Sequence, residues 1–269
     1  MRRIWPIAII TFKEGIRDKT IYGISLLALL LFIVNLIISE MFMRDIGKVT
    51  VDLTLSTISL SGLLLVLFIG INLIGKDLDK KTVYTILSRP FSRADYLFGK
   101  FTGITLIIVL SIPILSIFGV ISLSIVKLRF GKYFLHFSWY PFLIAIILII
   151  FSLILLTSLS LLFSSFTSSS FITLIFTIIS YIIGNSIEEV KSIVEVKAMG
   201  VETNPIINYI IKIAYYMFPN LSLFNVKIQA AHGLNIPFSY LLWVIIYGII
   251  YTTISLLIGC VLFRRREFP

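Results

Sequence analysis

Apolar residues run in six long stretches, at 21–43, 56–75, 101–125, 139–163, 171–187 and 240–263, and none of them contains a Lys or Arg. Crossing a hydrocarbon core takes roughly 20 mostly apolar residues in a helix. The pattern therefore predicts an all-α chain with six membrane spans forming one transmembrane domain over residues 1–269. The stretch at 171–187 is the shortest, and its helix is expected to begin earlier, inside the polar Ser164–Ser170 link. Ahead of the first span, Trp5, Ala8, Ile9, Phe12 and Ile16 recur at helical spacing, with Lys13, Glu14, Arg17 and Asp18 on the other face and Ile7 and Ile10 interrupting the pattern. Residues 1–20 thus read as an amphipathic helix in the membrane interface. Met1-Arg2-Arg3 ahead of an apolar run imitates a secretory leader. Lys13-Glu14 stands where a small-residue cleavage site would follow, so the segment is expected to be retained.

The polar links carry their own signals. In the long link 188–239, Ser186 with Glu189 spells a capping box and Asn204-Pro205 a second helix start, so two helices are expected there. The second, Ile206 to Phe218, is rich in Ile and Tyr and suited to the membrane surface. The link 76–100 is different. Between Gly75 and Lys100 lie six Lys or Arg and three Asp, and burying them all in a bilayer would cost on the order of 25 kcal/mol at roughly 2.5–3.5 kcal/mol each. This link must lie outside the hydrocarbon. Arg89-Pro90 ends the helix continuing from the second span, because a residue before proline is pushed out of the helical region. Ser92 with Asp95 then starts the next one. The result is a short elbow presenting Arg89, Phe91 and Arg93.

Composition confirms the class and sets the orientation. A mean hydropathy of +1.06 with 13% charged residues lies far from the roughly 25% charged of soluble domains. The net charge of +10 sits at span ends rather than on an aromatic-interleaved basic face, which argues against nucleic acid. With both termini inside, inner segments hold fourteen Lys or Arg and outer segments nine, so the positive-inside rule favours N-in, C-in in the cell membrane. Cys260 is the only cysteine, and with only His136 and His232 beside it little is left for a metal site. Glu40 lies near the outer end of the first span, within reach of interfacial water. Gly70 to Asp77 matches the glycine and lysine spacing of a P-loop, but Asp77 stands where magnesium needs a hydroxyl, and the run ends a membrane span. No link is large enough to house an ATPase, so any energy source must be a partner.

The segment "LSRPFSRADYLFGKF", Leu87 to Phe101, resembles the link between the second and third spans of ABC-2 type permeases, the membrane subunits of ABC transporters. The likeness is greatest to the subgroup associated with multi-copper enzyme and nitrous-oxide reductase maturation, which "MFPNLSLFNVK", Met217 to Lys227, also resembles. Lys81 departs from the glycine common there. The resemblance implies that the chain is no enzyme, binds no cofactor itself and uses ATP through a separate ATPase subunit. It further implies a homodimer and an elbow, 76–100, that couples to the ATPase through Asp77, Asp79, Arg89, Pro90, Phe91, Arg93 and Lys100. Gly99 and Gly103 form a G-x-x-x-G suited to close helix packing, within the chain or between copies. An extracytoplasmic partner could receive force in place of cargo. The rival reading is a passive channel or scaffold without an ATPase, and an intramembrane enzyme would need converging polar groups that the spans lack.

Overall fold

The computed structural model describes residues 4–41, 45–73, 92–134, 137–167, 169–198, 209 and 213–265. Among them are α1 (Ile4–Arg17), α2 (Lys19–Met41), α3 (Ile46–Leu64), α4 (Arg93–Arg129), α5 (Trp139–Phe166), α6 (Ser170–Ala198), the short α7 (Lys227–Ala231) and α8 (Phe238–Arg265). Among the described residues six helices are long and apolar enough to cross a membrane. The chain is all-α, as its hydropathy pattern predicts. We call the end that holds α1 and the flanks of residues 74–91 the elbow end.

The spans share their burial unequally. In α5 and in α3 with its continuation to Leu73, 67% of the apolar window is buried, against 22% in α2 and 28% in α6 and α8. The central pair thus packs on both sides, while the outer helices turn Leu26, Leu30, Ile33, Ile37 and Trp243 outward, as lipid-facing helices do. Several helices outrun their apolar stretches. At 37 residues, α4 is about 55 Å long at 1.5 Å per residue, against a hydrocarbon thickness of about 30 Å. It carries Pro113 inside it. Past Leu64 the second span widens into a π-helical turn, Leu65–Gly70, before one more α-turn to Leu73. Nothing in the sequence signals this. Of the two helix starts expected in the long link, Ser186 proves to lie inside α6, which passes through the isolated Gly184 without a break and, with no proline in it, runs on to Ala198. Asn204-Pro205 lies outside the described residues. Tyr209 and Ile213 to Met217 are helical, with Tyr216 and Met217 exposed.

A polar clasp joins α2 to α3 within the apolar bundle. Asn35 Nδ2 donates to Thr54 Oγ1 at 2.8 Å and to the Thr50 carbonyl at 3.4 Å. Thr50 Oγ1 donates to Ser39 Oγ at 2.8 Å, and Ser39 Oγ to the Asn35 carbonyl at 2.7 Å. All four side chains are buried, so each bond replaces an unsatisfied group in hydrocarbon. Asn35→Leu should lower stability by about 0.6 kcal/mol and by no more than about 1.7 kcal/mol, the range of interhelical bonds in membranes. A double-mutant cycle with Thr54→Val, read by unfolding in detergent, checks that the loss belongs to this pair.

Candidate functional site

The first turns of α4 gather the elbow end. The capping box read from the sequence is present: Asp95 N donates to Ser92 Oγ at 3.1 Å, and Ser92 N donates to Asp95 Oδ2 at 3.0 Å. This fixes the direction in which the chain enters α4. Arg93, Tyr96 and Lys100 then follow at helical spacing and reach three different elements. Arg93 Nη1 donates at 3.0 Å to the carbonyls of both Phe263 and Arg264, capping the C-terminal end of α8, where a cation is favoured. The Tyr96 ring stacks on Phe263 at 5.8 Å, the planes 11° apart. Lys100 Nζ donates to the Leu73 carbonyl at 3.2 Å and lies 4.0 Å from Glu14 Oε2 and 5.9 Å from the Tyr96 ring centre.

On its other face α4 receives α1. A Cβ on Gly99 would stand 2.6 Å from Ile7 Cβ, and one on Gly103 2.6 Å from Thr11 Cβ and 2.8 Å from the Ala8 carbonyl. Only glycine lets the two backbones approach this closely. The G-x-x-x-G therefore packs inside the chain. It also selects the face of α1. Ile7, Ala8, Thr11 and Gly15 are buried, while Trp5, Ile10 and Ile16 are exposed. The face expected from Trp5, Ala8, Ile9, Phe12 and Ile16 is thus displaced, because small residues that fit the glycines outrank larger apolar ones.

The predicted coupling residues divide. Asp77, Asp79, Arg89, Pro90 and Phe91 lie outside the described residues. Arg93 and Lys100 are brought together with Gly99 and Gly103, and Lys100 is only 2% exposed. Two turns into α4 it points at α1 and Leu73, and any part it has in coupling is internal. Glu14 and the carbonyls of Leu73, Phe263 and Arg264 escape sequence reasoning, since Arg93 and Phe263 are 170 residues apart.

The two flanks of residues 74–91, the first helix and the end of the last span are thus tied to the first two turns of α4. Residues 5–268 match the ABC-2 family transporter proteins. The chain belongs to that family. No curated protein shows significant similarity to it. As an ABC-2 protein it is a permease subunit of an ABC transporter, a multi-pass component of the cell membrane that is not itself catalytic and whose family works with an ATP-binding subunit.

The permease has a second constructed region at the end opposite the elbow. Part of "MFPNLSLFNVK" turns back among the spans. The Leu221 amide donates to the Gly184 carbonyl at 2.9 Å, and Glu188 accepts from Ser222 Oγ at 2.7 Å and Asn220 Nδ2 at 3.1 Å, binding the turn to α6. Tyr247 Oη accepts from the Asn220 amide at 2.8 Å, while Tyr240 and Tyr251 donate to the carbonyls of Leu223 and Met217 at 2.7 and 2.9 Å, binding it to α8. Phe224, Val226 and Ala230 are buried. Gly233, with φ of 64°, then turns the chain from α7 toward α8. Beneath this bracket a cavity of about 240 Å³ opens between α3, α5 and α6, lined by Ser59, Ser152, Tyr181, Asn185, Asn225 and Lys227 among others. Lys227 Nζ lies 3.4 Å from Ser56 Oγ. Of the two histidines, His232 is exposed, with Nδ1 2.9 Å from the Ile228 carbonyl. His136 and the Glu40 side chain lie outside the described residues.

Proposed function

We propose that the permease is the force-transmitting half of a homodimeric ABC transporter, with both termini and the elbow 76–100 in the cytoplasm and a separate ATPase gripping the elbow. The observation that carries this reading is the joint held by Arg93, Tyr96 and Lys100. Whatever moves the elbow pulls on α4 through Ser92 and on the second span through Leu73. Through the first two turns of α4 it reaches α8 and α1. A flexible connection would dissipate that displacement, whereas packed helices tied at their ends move together. Asp77, Asp79, Arg89, Pro90 and Phe91 are the residues we assign to the contact itself. The likeness of 87–101 and 217–227 to permeases of multi-copper enzyme maturation supports an extracytoplasmic partner as the recipient of force or cargo.

The test reads sidedness and partnership together. In a Cys260→Ser background, Arg89→Cys should resist a membrane-impermeant maleimide applied to intact cells and react within minutes after permeabilisation. An ATP-binding subunit should co-purify with the permease in mild detergent and lose that association with Arg89→Glu. Labelling from outside, or purification free of any nucleotide-binding subunit with the elbow intact, overturns the proposal.

A further inference from the structure

The cavity under the bracket has no part in the coupling just described. It is small. Its 240 Å³ falls below the roughly 300–1,000 Å³ of pockets that hold drug-sized molecules, and equals about eight waters at about 30 Å³ each. A group the size of a hydrated headgroup fits; a large cargo does not.

Its lining is rich in donors that face inward. Ser59 comes from α3, Ser152 from α5, Tyr181 and Asn185 from α6, and Lys227 from the start of α7. Among the described residues the hydroxyls of Ser59, Ser152 and Tyr181 bond to no protein group, and Asn185 Nδ2 makes one bond, to the Tyr181 carbonyl at 2.9 Å. At 3.4 Å the bond from Lys227 to Ser56 is long for an ammonium. The surrounding carboxylates do not neutralise it. Among the described residues none lies within 4 Å of Lys227, Asp52 is exposed, and Glu188 is occupied by Ser222 and Asn220. Burial lowers the pKa of Lys227, an effect that the more distant charge of Asp52 only partly offsets. A cation short of solvent gains most from an anion that brings several acceptor oxygens. Phosphate brings at least three, and the donors converge from four elements held by the bracket.

We infer that this cavity binds a phosphate group, carried on a lipid headgroup or free in solution, with Lys227 as its counter-ion and Ser59, Ser152, Tyr181 and Asn185 as donors. The ring of hydroxyls gives orientation and the lysine gives charge.

The full chain in phosphate-free maltoside micelles tests this without the ATPase, so its outcome is separate from that of the coupling proposal. One arm adds phosphatidylglycerol and the other inorganic phosphate. The rate at which an amine reagent modifies Lys227 is followed by peptide mass spectrometry, and retained lipid is counted by native mass spectrometry. Protection of Lys227 by at least fivefold is expected. If only the lipid protects, the occupant is a headgroup; if phosphate alone suffices, it is the free anion. Ser152→Ala keeps the lysine and should raise the concentration needed about tenfold, while Lys227→Met should abolish retained lipid if the headgroup is the occupant. Unchanged Lys227 modification in both arms, with the protein still melting cooperatively, overturns the inference, as does wild-type lipid retention by Lys227→Met in the headgroup case.

Discussion

Gly103→Leu leaves the permease in the membrane but separates its first helix from α4. Even a methyl group at residue 103 would stand 2.6 Å from Thr11 Cβ and 2.8 Å from a backbone carbonyl, and neither can rotate away. Four added carbons force α1 outward and uncover Ile7 and Ala8, which are 5% and 0% exposed. Forced overpacking of this kind costs about 1–3 kcal/mol, and here the cheapest relief is loss of the whole α1–α4 contact. Gly103→Ala should show a smaller shift in the same direction. Limited proteolysis reads the result: Lys13 and Arg17 become cleavable in the leucine variant while the spans stay protected. An α1 as resistant as in the wild type would mean that the two helices have room to spare, contrary to the geometry.

The second large effect is expected at Lys100. Lys100→Met preserves length and apolar packing while removing the ammonium from a residue that is 2% exposed. The Leu73 carbonyl loses its bond from Lys100, and Glu14 loses the charge 4.0 Å away. A buried acceptor left unsatisfied costs about 1–3 kcal/mol. The loss is local, so global unfolding should move little, while amide exchange of residues 4–17 and 70–73 rises by an order of magnitude or more. Lys100→Arg should not restore protection, since the planar guanidinium cannot replace a compact ammonium in a closed site. In the complex with its ATPase, the methionine variant should hydrolyse ATP at near the wild-type rate with transport or force output much reduced. Unchanged exchange at Leu73 would remove Lys100 from the joint.

What could be read from the sequence was what depends on neighbours in sequence. Six spans follow from runs of apolar residues, and the Ser92–Asp95 box follows from two side chains three residues apart whose bonds close on the same turn. The same box at Ser186 and Glu189 fails, because a capping pattern marks a helix start only where the preceding helix stops, and the single Gly184 two residues earlier does not stop α6, which is continuous from Ser170 to Ala198. The face of α1 misleads for another reason. Hydrophobicity ranks Trp5 and Ile16 above Thr11 and Gly15, but a partner offering two glycines accepts small residues first. Lys100 reads as part of the coupling elbow and Lys227 only as one of the outer-segment charges. Their burial depends on contacts with Leu73 and Glu14 in one case and on the returning turn 219–226 in the other. The π-helical turn at Leu65–Gly70 leaves no trace in composition at all.

Pro113 gives the longest helix a particular mechanical character. Lacking an amide hydrogen, it cannot donate to the carbonyl of Val109, and its ring crowds that carbonyl, so the backbone ladder is weakest about midway along. With 20 residues before it and 16 after it, any bend of α4 under load falls at residue 113, well inside the bundle and away from the turns that hold Arg93 and Lys100.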